Sequence, residues 1–211
     1  MVDTILLDLD GTLIDTTEII ISAFKETFDH FFPNVKLSED EYTNLLGQTL
    51  YKTFGFYTED PKQLDDIIKF YREVSNLRIE NGLEAYPKAQ ETLAYLKKKN
   101  IKLGIVTSKM RKVATYHLEI TGLLSYIDGI IGYEDVVEHK PSKEPIEKAL
   151  ELLNASKERC VYVGDHENDM IAAKRAGIMA CAVTYSNRLN EMLKENPEFV
   201  IDELSHLKDF I

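Results

Sequence analysis

Residues 5–15 read ILLDLDGTLID. Three apolar residues run into Asp8, a second carboxylate follows at Asp10, then Gly11 and Thr12, and a third carboxylate closes the stretch at Asp15. Like charges repel, so acids gathered where an apolar run ends need solvent or a counter-charge. Residues i and i+2 at a strand end can point to the same side, which presents Asp8 and Asp10 together. A divalent cation would supply the opposing charge. Gly11 permits a tight turn that brings backbone N–H groups toward a bound anion. Asp15 reads differently. Asp-x-x-Glu ahead of the apolar run from Ile19 is a capping-box pattern, with Asp15 as N-cap and Glu18 at N3. Strand-terminal acids also serve as solvated turn formers, so the pair Asp8 and Asp10 decides nothing alone.

The rest of the chain supplies the context. Short β-branched runs at Thr4–Leu7, Lys102–Thr107, Gly129–Gly132, Cys160–Val163 and Ala180–Thr184 suit strands buried on both faces. Helical patterns lie between them. Ala89, Leu93 and Leu96 share one face, and Ile146, Ala149, Leu150 and Leu153 follow i, i+3, i+4, i+7. Alternating strands and helices imply right-handed crossovers and an α/β fold, a three-layer Rossmann-like parallel sheet. One stretch breaks the rhythm. Residues 16–82 carry only helical patterns, with Ile20, Phe24, Phe28 and Phe31 on one face and Leu64, Ile67, Ile68 and Tyr71 on another. The expected organisation is a core of residues 1–15 plus 83–211, with an inserted α-helical cap domain over 16–82. Ligands in open parallel sheets bind beyond the carboxyl ends of the strands, so an insert leaving the first strand there would act as a lid.

Composition narrows the class of partner. The chain has 211 residues, 44% hydrophobic and 29% charged, with a formal net charge of −11. That acidity argues against nucleic acid or an anionic membrane as a partner, while a bound cation still allows an anionic small substrate. The sequence contains no membrane-length apolar run and no basic-then-apolar leader, so the expected location is the cytoplasm. Cys160 and Cys181 sit at the edges of apolar runs without zinc spacing and read as small buried hydrophobes. His30, His117, His139 and His206 show no ligand spacing either, and His166 reads as a loop residue.

The other strand ends decide the meaning of the opening stretch. The run ending in Val106 is followed by Thr107 and Ser108, both hydroxyl donors. CVYVGDHEND places Asp165 where a strand ends and Asp169 in the first turn of the next helix. EHKPSKEP offers Lys140 beside Pro141, ahead of a helix read as capped by Ser142. Acids, hydroxyls and a lysine at the carboxyl ends of parallel strands converge on one crevice.

DLDGTL (8–13), Thr107 after an apolar strand, Lys140-Pro141 and GDHEND (164–169) resemble the four ordered motifs of the haloacid dehalogenase-like phosphohydrolase superfamily. The helical insert resembles the C1-type cap of its phosphoglycolate phosphatase-like subgroup. ILLDLDGTLIDTTEIIISAF, KLGIVTSK and LEITGL look most like the bacterial pyrophosphatases. The resemblance implies an Mg²⁺-dependent phosphohydrolase acting on a small phosphorylated substrate, with inorganic pyrophosphate and 2-phosphoglycolate leading, as a monomer or homodimer. It implies Asp8 as nucleophile, forming an aspartyl-phosphate, and Asp10 as general acid and then base. Asp10 would then be protonated while Asp8 stays ionised. The implied metal ligands are the Asp8 carboxylate, the Asp10 backbone carbonyl and Asp165. Asp169 would orient a water or Lys140, and Thr107, Ser108 and Lys140 would hold phosphoryl oxygens. In the insert, Gln48 and Lys52 are the candidate substrate contacts. Two alternatives use the same fold: a β-phosphoglucomutase-like isomerase, for which GQTLYKT does not look like the required cap, and a haloacid dehalogenase, which has no need of Asp10.

Overall fold

The computed structural model describes residues 2–79 and 82–211; Glu80 and Asn81, inside the expected insert, lie outside the described residues. In chain order the elements are β1 (Thr4–Leu7), β2 (Ile14–Asp15), α1 (Thr17–Phe31), α2 (Glu39–Thr43), α3 (Leu50–Gly55), α4 (Pro61–Ile79), β3 (Glu84–Ala85) and α5 (Ala89–Lys98). There follow β4 (Lys102–Val106), α6 (Arg111–Ile120), β5 (Gly129–Ile131), α7 (Glu144–Leu152), β6 (Cys160–Gly164), α8 (Glu167–Ala176), β7 (Met179–Val183), α9 (Leu189–Lys194) and β8 (Phe199–Ile201). Two compact units result, Met1–Asp15 with Glu84–Ile211, and Thr16–Leu83.

The larger unit is built on a six-stranded sheet in the order β5-β4-β1-β6-β7-β8, parallel throughout. β1 is central because all four of its residues are buried, and burial on both faces is what a strand flanked by parallel neighbours and covered by helices requires. It pairs Leu7 with Ile105 of β4 and with Val163 of β6. The chain winds from β1 to β4 and β5, then returns across β1 to β6, so the winding direction reverses between β1 and β6. Ligand crevices of doubly wound sheets form at such a reversal, beyond the carboxyl ends of the strands.

Three local features differ from the sequence reading. Asp15 does not cap α1. It pairs with Glu84 in the short antiparallel ladder of β2 and β3, and Thr16 is the N-cap, without a side-chain cap bond. This ladder lies where the chain leaves the larger unit and re-enters it. The N-cap of α7 is Lys143 rather than Ser142, although the Ser142 hydroxyl accepts from the Glu144 N–H at 3.3 Å. β8 adds a sixth strand, FVI, that the sequence reading did not contain.

The Thr16–Leu83 unit is helical among its described residues. Phe24, Phe28, Phe54, Ile67, Ile68 and Tyr71 form its core, with ring centroids 4.8 Å apart for Phe24 and Tyr71 and likewise for Phe28 and Tyr57. The two helical faces read from the sequence, on α1 and α4, thus bury against each other.

Candidate active site

β1 delivers Asp8 and β6 delivers Asp165 to the crevice at the winding reversal. The Asp8 N–H donates to the Val163 carbonyl at 2.9 Å, which locks the two strand ends in register. One oxygen from each of Asp8, Asp165 and Asp169 lies within 4.8 Å of the others. Lys140, from the loop before α7, enters this acid cluster almost fully buried. Its ammonium has three protons. They go to Asp8 Oδ2 at 2.9 Å, Asp169 Oδ1 at 2.7 Å and the Tyr162 hydroxyl at 3.0 Å. Tyr162, on β6, donates in turn to the Val106 carbonyl of β4 at 2.8 Å.

Two glycines make room for the acids. Gly11 has φ +74°, and a Cβ there would stand 2.2 Å from Asp165 Oδ2. At Gly164 a Cβ would stand 2.4 Å from Asp169 Oδ2. Asp169 is fully buried in the first turn of α8, and its Oδ2 accepts from the His166 N–H at 3.1 Å. His166 is the N-cap of that helix, its Nδ1 accepting from Asn168 N–H at 3.0 Å, so its role is to start α8. Asp165 accepts from the Thr12 hydroxyl at 3.1 Å. Its backbone carbonyl accepts from Ser186, and the Tyr185 hydroxyl donates to the Thr12 carbonyl at 2.8 Å. The segment after β7 thereby ties the β1 loop to the β6 loop.

The electrostatics are those of an under-compensated anionic cluster. Burial, reinforced by the carboxylate of Asp169 and opposed by Lys140, pushes Asp8 up to about 7. Burial and the neighbouring Asp8 push Asp165 well above the usual carboxylate range. Burial works against the Lys140 charge, yet Asp169 and Asp8 hold it well above its usual range. The expected division, with Asp8 as the readily ionised acid, is therefore opposed by desolvation. Clustered hard oxygen donors short of positive charge are the donor set of a divalent cation such as Mg²⁺. Asp8 and Asp165 fit that role, while both Asp169 oxygens are committed to Lys140 and to the α8 cap.

Asp10, the second acid of the opening stretch, turns to a different partner. Its Oδ1 receives Lys109 Nζ at 2.9 Å, and Lys109 Nζ also stands 3.4 Å from His117 Nδ1 on α6. Thr107 follows β4, with its hydroxyl accepting from the Lys109 N–H at 3.2 Å, and Ser108 beside it is half-buried. Lys109, His117, Tyr162 and Thr12 were absent from the site read from the sequence. Lys109 lies two residues beyond Thr107 and was within reach of that reading; nothing local marks His117 or Tyr162. Gln48 and Lys52 belong to the helical unit. Gln48 Nε2 donates to the Asn44 carbonyl at 3.3 Å, and Lys52 is exposed in the first turns of α3. Cys160 and Cys181 are free and buried, their thiols pushed up to about 12 by desolvation, which leaves them unreactive.

Residues 5–183 match the family of haloacid dehalogenase-like hydrolases. The chain belongs to that family. Relatives named Pyrophosphatase PpaX are similar over nearly the whole length. The protein of Bacillus pumilus is 35% identical over 98% of this chain and 94% of its own. That of Halalkalibacterium halodurans is 34% identical over 100% and 97%. Among solved structures, a haloacid dehalogenase-like hydrolase from Bacteroides fragilis superposes with a TM-score of 0.89 at 27% identity, covering 98% of this chain and 100% of that one. CbbY from Rhodobacter sphaeroides, solved in complex with phosphate, gives 0.81 at 26% identity over 98% and 96%. In this haloacid dehalogenase-like hydrolase, as in any doubly wound fold, the acids at the strand ends lie where a ligand crevice is expected. No helix among the described residues is long and apolar enough to cross a membrane.

His117 sets a pH limit on stability. Burial, aided by the Lys109 charge, lowers it to about 4. The folded state thus binds fewer protons than the unfolded chain between pH 6.5 and 4, and stability is lost as pH falls through that window. Relative to a His117→Leu variant, the wild-type unfolding free energy is expected to drop by about 2–3 kcal/mol between pH 7.5 and 4.5. Urea denaturation of both proteins at the two pH values measures it; a constant difference between them would refute it.

Proposed function

We propose that this haloacid dehalogenase-like hydrolase is a Mg²⁺-dependent phosphohydrolase working through an aspartyl-phosphate on Asp8. Inorganic pyrophosphate and 2-phosphoglycolate are the favoured substrates. The observation that carries the reading is the buried cluster at the winding reversal, Asp8 bound to Lys140 with Asp165 and Asp169 against it. The names of the PpaX relatives, similar over almost the full chain, favour pyrophosphate hydrolysis over isomerase or dehalogenase chemistry.

In this reading Asp8 attacks phosphorus. The Asp8 oxygen–phosphorus bond forms, the bond to the leaving oxygen breaks, and Asp10 gives that oxygen its proton. A water then attacks the phosphoenzyme, loses its proton to Asp10 and releases inorganic phosphate, returning Asp8 to a carboxylate. Splitting one displacement into two lowers the barrier of each. Asp8, Asp165 and the Asp10 backbone carbonyl would hold Mg²⁺, which would supply positive charge against the phosphoryl oxygens. Lys140, whose three protons go to Asp8, Asp169 and Tyr162, neutralises Asp8 from the protein side, and Thr107 and Ser108 receive phosphoryl oxygens. Asp169 holds Lys140 to that task.

The test is phosphate release with and without the nucleophile. Asp8→Asn keeps the size of the side chain but removes the attacking oxygen, and turnover is expected to fall by roughly a thousandfold or more, a barrier of several kcal/mol. EDTA is expected to abolish wild-type activity and Mg²⁺ to restore it. Ca²⁺, with its longer and looser contacts, should inhibit. An Asp8→Asn protein retaining about a tenth of the wild-type rate would rule out the covalent route, and full activity without metal would rule out the cation.

Substrate choice is assigned to the helical unit on chemical grounds. Pyrophosphate and phosphoglycolate carry a second anionic group, and Lys52 is the proposed cation for it, with Gln48, four residues before it, as the next candidate. Lys52→Ala is expected to lower kcat/KM for these substrates by about tenfold or more, the worth of a charge-assisted hydrogen bond. Turnover of p-nitrophenyl phosphate should stay near wild type. Equal losses on both kinds of substrate, or none on either, would contradict the assignment.

A further inference from the structure

We propose that His117 is a positioning residue, whose buried neutral imidazole clamps the Lys109 ammonium against Asp10 and thereby fixes the direction of the Asp10 carboxylate. The inference rests on the phosphohydrolase reading, in which Asp10 exchanges protons with the leaving group and with water.

The geometry defines the chemical state of the ring. Lys109 Nζ lies 2.9 Å from Asp10 Oδ1 and 3.4 Å from His117 Nδ1. An ammonium has protons to give and no lone pair to receive one, so Nδ1 must be the acceptor. The ring is then neutral, with its proton on Nε2. His117 is fully buried on α6, and its Nε2 has no hydrogen-bond partner among the described residues. A buried N–H without an acceptor lowers stability, and an apolar side chain at this position would avoid that cost. Packing therefore gives no reason for a histidine here. Among the described residues, the polar contact that its ring makes is the one to Lys109.

That contact matters because of what lysine is. An ammonium on a flexible four-carbon stem samples many rotamers, and a single carboxylate partner does not select one of them. The imidazole provides a second, rigid anchor fixed to a helix. With Lys109 held at two points, the oxygen it grips on Asp10 is held too, and rotation of that carboxylate is restricted. Proton transfer depends steeply on the placement of the donor and acceptor atoms. Lys109 and His117 act on the reaction through Asp10.

The experiment compares wild type, His117→Leu and His117→Asn in Mg²⁺ with p-nitrophenyl phosphate and pyrophosphate, with thermal unfolding and crystal structures of each. His117→Leu is expected to unfold at the wild-type temperature or above at neutral pH, since it removes an unsatisfied buried N–H. Its KM should stay within about twofold while kcat falls about tenfold or more, the signature of misplaced catalytic geometry without lost binding. His117→Asn, whose amide oxygen can take the place of Nδ1, should recover at least about threefold of that loss. In the His117→Leu crystal structure Lys109 should leave Asp10 Oδ1. Wild-type kcat in His117→Leu, equal losses in both variants, or an unmoved Lys109–Asp10 contact would overturn the proposal. A wild-type protein inactive on every phosphate substrate would instead overturn the phosphohydrolase reading, while the crystal structures would still decide whether His117 holds Lys109.

Discussion

Three carboxylates, Asp8, Asp165 and Asp169, converge in a crevice that holds one ammonium, Lys140. The imbalance is the constraint on which the rest of the molecule depends. Buried like charges at this separation are costly, and a single lysine offsets only part of the cost. Burial and the neighbouring carboxylates push Asp8 and Asp165 upward, toward the ordinary solution of protonating the acids. The alternative is a divalent cation. A protein that maintains such a cluster at the carboxyl ends of its central strands holds a site under electrostatic tension that a divalent cation would relieve, with charge left over for a phosphoryl group.

Much of the fold serves to hold that cluster still. β1 and β6 bring their acids side by side because parallel pairing fixes Leu7 against Val163. Gly11 and Gly164 leave space that any side chain would fill with a clash against Asp165 or Asp169. Tyr162 reaches from β6 to the end of β4 and takes the third proton of Lys140, so the lysine is held from three directions. Tyr185 and Ser186, beyond β7, bind carbonyls of the Thr12 and Asp165 loops. Each contact is a modest hydrogen bond; their value lies in the precision they impose on charged groups whose interaction varies steeply with distance.

The sequence made the cluster legible because its members sit at strand ends with strong signals. Thr4–Leu7 was read to its observed limits, and the helical faces around Phe24, Phe28, Ile67 and Tyr71 appear as a core. Where the signal was short, the reading failed. A two-residue ladder such as Ile14–Asp15 with Glu84–Ala85 has no periodicity to detect, so Asp15 looked like a helix cap. The choice between Ser142 and Lys143 as N-cap turns on backbone angles that residue types do not specify. The deeper omission is the second tier of the site. Lys109, His117 and Tyr162 come from three separate segments and meet the acids through tertiary packing alone, and His117 in particular looks like any other histidine on an amphipathic helix. Asp10 was paired by the sequence with Asp8, while the structure pairs it with Lys109.

The central claim, that the buried acid cluster is built for a divalent cation, is tested most directly by unfolding the protein in urea at rising Mg²⁺ and constant ionic strength. A site present only in the folded state raises the unfolding free energy by about 1.4 kcal/mol for each tenfold increase in Mg²⁺ above its dissociation constant. The account predicts that rise for the wild type and its loss in Asp165→Asn. A wild-type stability that does not change with Mg²⁺, or an equal rise in Asp165→Asn, would contradict it.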